Sequence, residues 1–217
     1  MELIDLTHTI VSGMAQWPDD EQPLLIRRLS DHGPDSHLSS ALAFGCHVGT
    51  HIDLPLHFKA GEPALDALPA AACVGRARVV RADTGGVAAP LAASLLDAID
   101  VSGLDFLVFD TGWARHWGTD RYYREWPWYG EDLAERLATL GLKGSGLDTP
   151  SLDPFAGQRA HEICAAAGLV NIENLTGLDR LPDAPFTLFV LPLKLAGTEA
   201  SPVRAVALLD GGGENGR

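Results

Sequence analysis

The sequence predicts a mixed α/β protein, and three observations predict it. Short apolar runs bounded by Gly, Pro or Asp recur along the chain, stretches of helical periodicity lie between some of them, and the first sixty residues carry strand and loop signals only. That order is not a clean βαβ alternation, so a regular Rossmann or barrel topology is disfavoured. The 217 residues suit one domain, expected over 1–210, with a Gly-rich flexible tail at 211–217.

Taken in order, strands are expected at Leu3–Leu6, Leu24–Leu29, Ala77–Val80, Phe106–Phe109, Leu169–Ile172, Phe186–Leu191 and Val203–Leu209. Helices are expected at Leu91–Ile99 after Pro90, and at Asp132–Leu140, where Leu133, Leu137 and Leu140 share a face. A third is expected at Arg159–Ala167, closed by Gly168.

A net charge of −13 would repel phosphate backbones and anionic lipid heads, so neither nucleic acid nor a membrane surface is an expected partner. No window reaches the roughly 18 consecutive apolar residues of a membrane helix, and Met1–Asp5 lacks the basic start of a signal peptide. Cys46, Cys73 and Cys164 have no CxxC spacing, which argues against a disulfide framework and for a reducing cytoplasm. Cys46 reads as a small buried filler.

The chemistry concentrates in His47-Val48-Gly49-Thr50-His51-Ile52-Asp53-Leu54-Pro55-Leu56-His57, which holds three of the eight histidines. Gly49, Pro55 and the β-branched residues oppose a helix, so extended chain is expected, with His47, His51 and Asp53 on one face. A straight strand would hold His47 and Asp53 about 20 Å apart, too far for one ion, so the chain must bend, and Gly49 can bend it. Two imidazoles and a carboxylate suit Zn²⁺, Mn²⁺ or Fe²⁺ and leave positions open for water, as a catalytic site requires. Pro55 turns the chain again, bringing His57 near as a proton carrier rather than a ligand. The competing reading is a loop of surface or satisfied core histidines. Downstream, His161 on the third helix and Glu173 after the strand Leu169–Ile172 can meet, because the helix and the returning strand cover comparable distances in opposed directions. A helix histidine and a charged strand end are also commonplace without a ligand.

These segments resemble the cyclase family of metal-dependent hydrolases, which contains kynurenine formamidases, isatin hydrolases and certain lactamases. The resemblance runs through Ile4-Asp5-Leu6-Thr7-His8, Trp17-Pro18-Asp19-Asp20, the histidine segment, Thr111-Gly112-Trp113, Gly146–Pro154, Ile172–Leu175, Leu191–Lys194 and Ser201–Ala205. It implies metal ligation by His47, His51 and Asp53, with Asp53 bridging to a second ion on His161 and Glu173. It implies His57 as acid/base, Trp17 facing substrate, a swivelling β/β/α fold with a mixed sheet, and a homodimer. Leu54 stands where the family often has Ala, and is expected to narrow the pocket.

The expected activity is metal-dependent hydrolysis of an amide C–N bond. Arylformamidase action on N-formylkynurenine comes first, and a cyclic amide such as isatin or a lactam second. Zn²⁺, or alternatively Mn²⁺, is the expected cofactor, as one or two ions per chain. A non-catalytic metal-stabilised binding protein is the alternative from another class. Trp113, Trp117, Tyr122, Tyr123, Trp126, Trp128 and Tyr129 crowd seven of the fifteen aromatics into seventeen positions. Interspersed Gly and Pro make this a loop with a short helix, serving as a lid, an interface or simple packing.

Overall fold

The computed structural model describes residues 1–18 and 22–209; the expected tail at 211–217, with Asp19 and Asp20, lies outside them. The chain begins with β1 (Glu2–Asp5), then β2 (Leu25–Ser30), a short helix α1 (His32–Asp35), β3 (Ser39–Ala43), β4 (His51–Asp53) and β5 (Val74–Arg81). There follow β6 (Pro90–Leu91), β7 (Phe106–Asp110), β8 (Trp128–Tyr129), α2 (Glu131–Ala138), β9 (Gly144–Leu147) and α3 (Arg159–Ala166). The last strands are β10 (Val170–Glu173), β11 (Phe186–Pro192) and β12 (Ala200–Leu209).

Eight strands form one sheet in the order β1-β12-β11-β5-β7-β9-β10-β4. β5, β7, β9 and β10 run parallel, and the remaining neighbours pair antiparallel. β4 also pairs with the start of β12, so the sheet closes on itself. The architecture is thus mixed α/β, as expected, but the closure corrects the expectation that disfavoured a barrel. A hydrophobic pattern reports which faces are buried and not which strands meet end to end.

Closure puts apolar side chains on both faces of the central strands. Along β7, Phe106 and Val108 enter one core with Ile52, Ile172, Leu188 and Val190, while Leu107 and Phe109 enter a second with Leu133 and Leu137 of α2 and Cys164 of α3. Parallel strands buried on both sides read as unbroken apolar runs, which is why Phe106–Phe109 was legible.

All seven expected strands form, with ends shifted by up to three residues. The helix expected at Leu91–Ile99 does not: Leu91 pairs with Tyr129 in β8, and only a 3₁₀ turn forms at Ala93–Leu96. The Gly130 N–H donates to the Leu91 carbonyl, the Ala93 N–H to Asp132, and Arg136 to the Ala93 carbonyl, so contacts with α2 override local propensity. β9, which was not expected, is Gly-Ser-Gly-Leu. A Cβ on Gly144 would collide with the Val170 carbonyl oxygen and Cγ2 of the neighbouring strand, so close approach takes precedence over β propensity there. No helix among the described residues is long and apolar enough to cross a membrane.

Candidate metal centre

Strand parity builds the site. In β4, Ile52 points into the enclosed core while His51 and Asp53 point to the side of the sheet that carries α3. In β10, Ile172 points inward, and Glu173 stands opposite His51 in antiparallel register. Gly49, at φ +63°, supplies the bend that returns His47 to the strand it precedes. His161 sits on the buried face of α3, against the same spot.

The distances define one cluster. His47 Nδ1 lies 2.9 Å from Asp53 Oδ1, and His51 Nε2 lies 3.4 Å from both Asp53 Oδ1 and Glu173 Oε2. His161 Nε2 lies 3.2 Å from Glu173 Oε1. Two overlapping groups could each hold a cation, His47–His51–Asp53 and Asp53–His161–Glu173, sharing the Asp53 carboxylate. His57, at the end of a 3₁₀ turn (Pro55–His57), sets its ring 4.2 Å from that of His47, tilted by 36°, and belongs to neither group.

The donor set fits a borderline divalent ion, and the hydrogen bonds show why. Each histidine has its outer nitrogen engaged by an oxygen. Glu199 Oε1 accepts from His47 Nε2 at 3.1 Å, the Gly49 carbonyl from His51 Nδ1 at 2.9 Å, and Asp153 Oδ2 from His161 Nδ1 at 2.7 Å. The inner nitrogens therefore face one another and the carboxylates. His51 Nε2 and Asp53 Oδ1 are buried without a hydrogen bond, a costly arrangement for two polar atoms unless a cation takes their lone pairs.

Electrostatics point the same way. Burial alone would discharge these groups, yet mutual attraction outweighs it. Asp53 lifts His47 to about 9, and Asp153 with Glu173 lifts His161 to about 10. Against the same burial penalty, His47 and His51 hold Asp53 well below the ordinary carboxylate range, and His161 and His51 hold Glu173 low. Without an ion, protons occupy the cluster in its place. His57 differs: burial, helped by positive charge on His47 and His161 and opposed by Asp53, keeps it below the usual imidazole value.

The cluster lines a cavity of about 710 Å³. Trp17 forms part of its wall, stacked on Phe155 at 5.2 Å, and Phe58 stacks on His161 at 4.4 Å. Leu54, expected to narrow this space, instead packs into the enclosed core, because strand alternation turns it the same way as Ile52. Cys46, expected as a buried filler, is half-buried and lines the cavity. Of the aromatic segment, Trp113, Tyr122 and Trp126 form a buried cluster of their own and Tyr129 joins the core beneath α2, so packing accounts for most of it; Tyr123 reaches the cavity.

Sequence reasoning assigned no role to Asp153, Glu199 or Asn174. Asp153 accepts from the backbone N–H groups of Ala160 and His161 as well as from the ring, so it caps α3 and orients His161 at once. A remote cap of this kind leaves no adjacent N-cap signature, and Gln158 at the helix start makes no side-chain cap. Asn174, at φ +57°, donates to the Gly49 carbonyl that holds His51 and accepts from Tyr122 Oη.

The chain is 36% identical over 209 residues to a kynurenine formamidase of Paracidovorax citrulli, covering 94% of this chain and 95% of that one. It is 32% identical over 213 residues to a kynurenine formamidase of Salinibacter ruber, covering 95% and 97%. Its fold superimposes on isatin hydrolase A from Labrenzia aggregata with a TM-score of 0.86 at 22% identity, over 96% of this chain and 93% of that one. A predicted metal-dependent hydrolase from Bacillus stearothermophilus matches with a TM-score of 0.80 at 25% identity, over 95% of this chain and 97% of that one. The Cyclase family model matches residues 4–154, and the chain belongs to the cyclase family.

Proposed function

We propose that this protein is a metal-dependent hydrolase of amide C–N bonds, acting first as an arylformamidase that converts N-formylkynurenine and water to kynurenine and formate. One observation carries the reading: three histidines with anchored outer nitrogens turn their inner nitrogens, with two carboxylates, onto the floor of an aromatic-walled cavity. A structural metal site would be closed by its protein ligands, whereas this cluster opens onto 710 Å³ of cavity. The kynurenine formamidase relatives support the formamide; the fold shared with isatin hydrolase keeps a cyclic amide as the second substrate class.

His47, His51 and Asp53 would hold one ion and Asp53, His161 and Glu173 another, with Zn²⁺ favoured over Mn²⁺ by the two-imidazole set. A bound ion of this kind lowers the pKa of water towards about 7 and polarises a carbonyl. His57, neutral near pH 7 and open to the cavity, takes a proton from water and passes it to the leaving amine nitrogen. Trp17, stacked on Phe155 in the cavity wall, offers the aryl ring an aromatic face.

We place the fold in the swivelling β/β/α type over residues 1–210, on the strength of the closed mixed sheet with helices on one face. A homodimer is supported by the β2–β3 hairpin, which among the described residues pairs only with itself and exposes Leu25, Ile26, Leu29 and Leu42. Free cysteines support a reducing cytoplasm. The test is metal content after purification without added metal, then hydrolysis rates on N-formylkynurenine, isatin and a γ-lactam. Chelator-sensitive formate release is expected; a metal-loaded protein inert towards all three would overturn the proposal.

A further inference from the structure

The cluster also has an outer, more exposed side, of which the proposed reaction uses His57 alone for proton transfer. His47 Nε2, a ring nitrogen of His57 and a carboxylate oxygen of Glu199 all lie within 4.8 Å of one another. Donor atoms on a tetrahedral ion with bonds of about 2.1 Å stand roughly 3.4 Å apart. His47 Nε2 and Glu199 Oε1, at 3.1 Å, are already near that spacing, and the His57 ring lies over His47 with its plane tilted by 36°. Exposure separates this group from the inner one. The His47 and Glu199 side chains are 30% and 36% exposed and His57 is exposed, against 2–6% for His51, Asp53, His161 and Glu173.

We propose that His47 Nε2, His57 and Glu199 form a separate divalent-cation position at the cavity mouth, suited to Zn²⁺, and that filling it inhibits the enzyme. Two imidazoles and one carboxylate are a zinc donor set, with the solvent side left for water. The entering ion displaces the proton from His47 Nε2 to solvent and takes the place of that hydrogen bond to Glu199. It also engages the His57 lone pair, so His57 can no longer accept or deliver a proton. Because His47 would then serve an ion on each nitrogen, the mouth position is weaker than the inner ones and fills only in excess metal. The inhibitory consequence rests on the hydrolase reading; the binding position does not.

The experiment takes the full-length zinc-loaded protein, dialysed until only tightly held ions remain and counted by atomic emission. Further Zn²⁺ is then added by calorimetric titration, and amide hydrolysis is followed in parallel. One additional equivalent per chain is expected, with a dissociation constant that matches the zinc concentration for half-inhibition. Glu199→Gln should weaken that equivalent by more than about tenfold and shift inhibition with it, since losing a ligand costs at least as much as losing an outer partner. His57→Asn should weaken it too, and His161→Ala should lose inner metal while keeping the outer equivalent. An additional equivalent that binds both Glu199→Gln and His57→Asn as tightly as wild type, or none at all up to millimolar zinc, overturns the proposal. If no amide is hydrolysed by any form, the hydrolase reading fails, and the calorimetry still decides the mouth position.

Discussion

Metal uptake should expel protons from the histidines of the cluster. With His47 lifted to about 9 and His161 to about 10, both rings are protonated at pH 7 in the ion-free protein. A cation needs the inner nitrogens deprotonated, and Asp53 and Glu173 raise His51 as well against its burial, so filling the two inner positions should release at least about two protons per chain, and the overall affinity should rise roughly a hundredfold or more from pH 7 to pH 8. The assay is calorimetry at pH 7 in buffers of different ionisation enthalpy, where the slope of observed heat against buffer enthalpy counts the protons. The same raised values fix the sign of the stability profile. In the ion-free protein these protonated rings contribute stability that is fully present below the unfolded imidazole value of about 6.5 and is lost as pH rises through about 9 to 10. The metal-loaded protein should show the opposite trend below neutrality. Uptake without proton release, or an affinity flat between pH 7 and 8, would refute the claim that the carboxylates control these histidines.

His57→Asn should lower kcat by about 10² to 10⁴ with tightly held metal intact, and a substrate with a better leaving group should recover part of the loss; inner metal lost in step with activity would make His57 an inner ligand. Asp153→Asn should weaken metal binding by roughly 10- to 100-fold in chelator competition, because His161 loses the carboxylate that orients it; unchanged affinity would remove Asp153 from the positioning role. Gly144→Ala should destabilise the fold by about 1–3 kcal/mol, since the added methyl meets the Val170 carbonyl of the next strand, and an unchanged urea midpoint would contradict the close β9–β10 packing.

How much of this the sequence disclosed depends on whether the cause was local. Phe106–Phe109 and Phe186–Leu191 form strands because unbroken or alternating apolar character is itself the reason they are buried. The bend at Gly49 was legible because spacing demanded it and only one residue there adopts positive φ freely. Glu199 and Asp153 were not legible as partners of His47 and His161, since nothing near either in sequence marks a contact made through the closed sheet or the loop before α3. The false helix at Leu91–Ile99 has the same origin: its periodicity is real, but Arg136 and Asp132 on α2 hold its backbone in another shape.

The closure of the sheet through β4 also has a consequence in time. His47 meets its outer partner Glu199 across 152 residues of chain, and β4 can enter the ring only when β12 exists to receive it. At about 5–20 residues per second, a ribosome needs roughly 8–30 s to make that span. Until residues 170–173 have been made to pair with it, the ligand segment has neither of its strand partners, and its histidines and aspartate are free to bind stray metal in the wrong geometry. β10 gives the segment its first partner, and the pairing of residues 200–202 with 51–53 then closes the ring and brings Glu199 to His47.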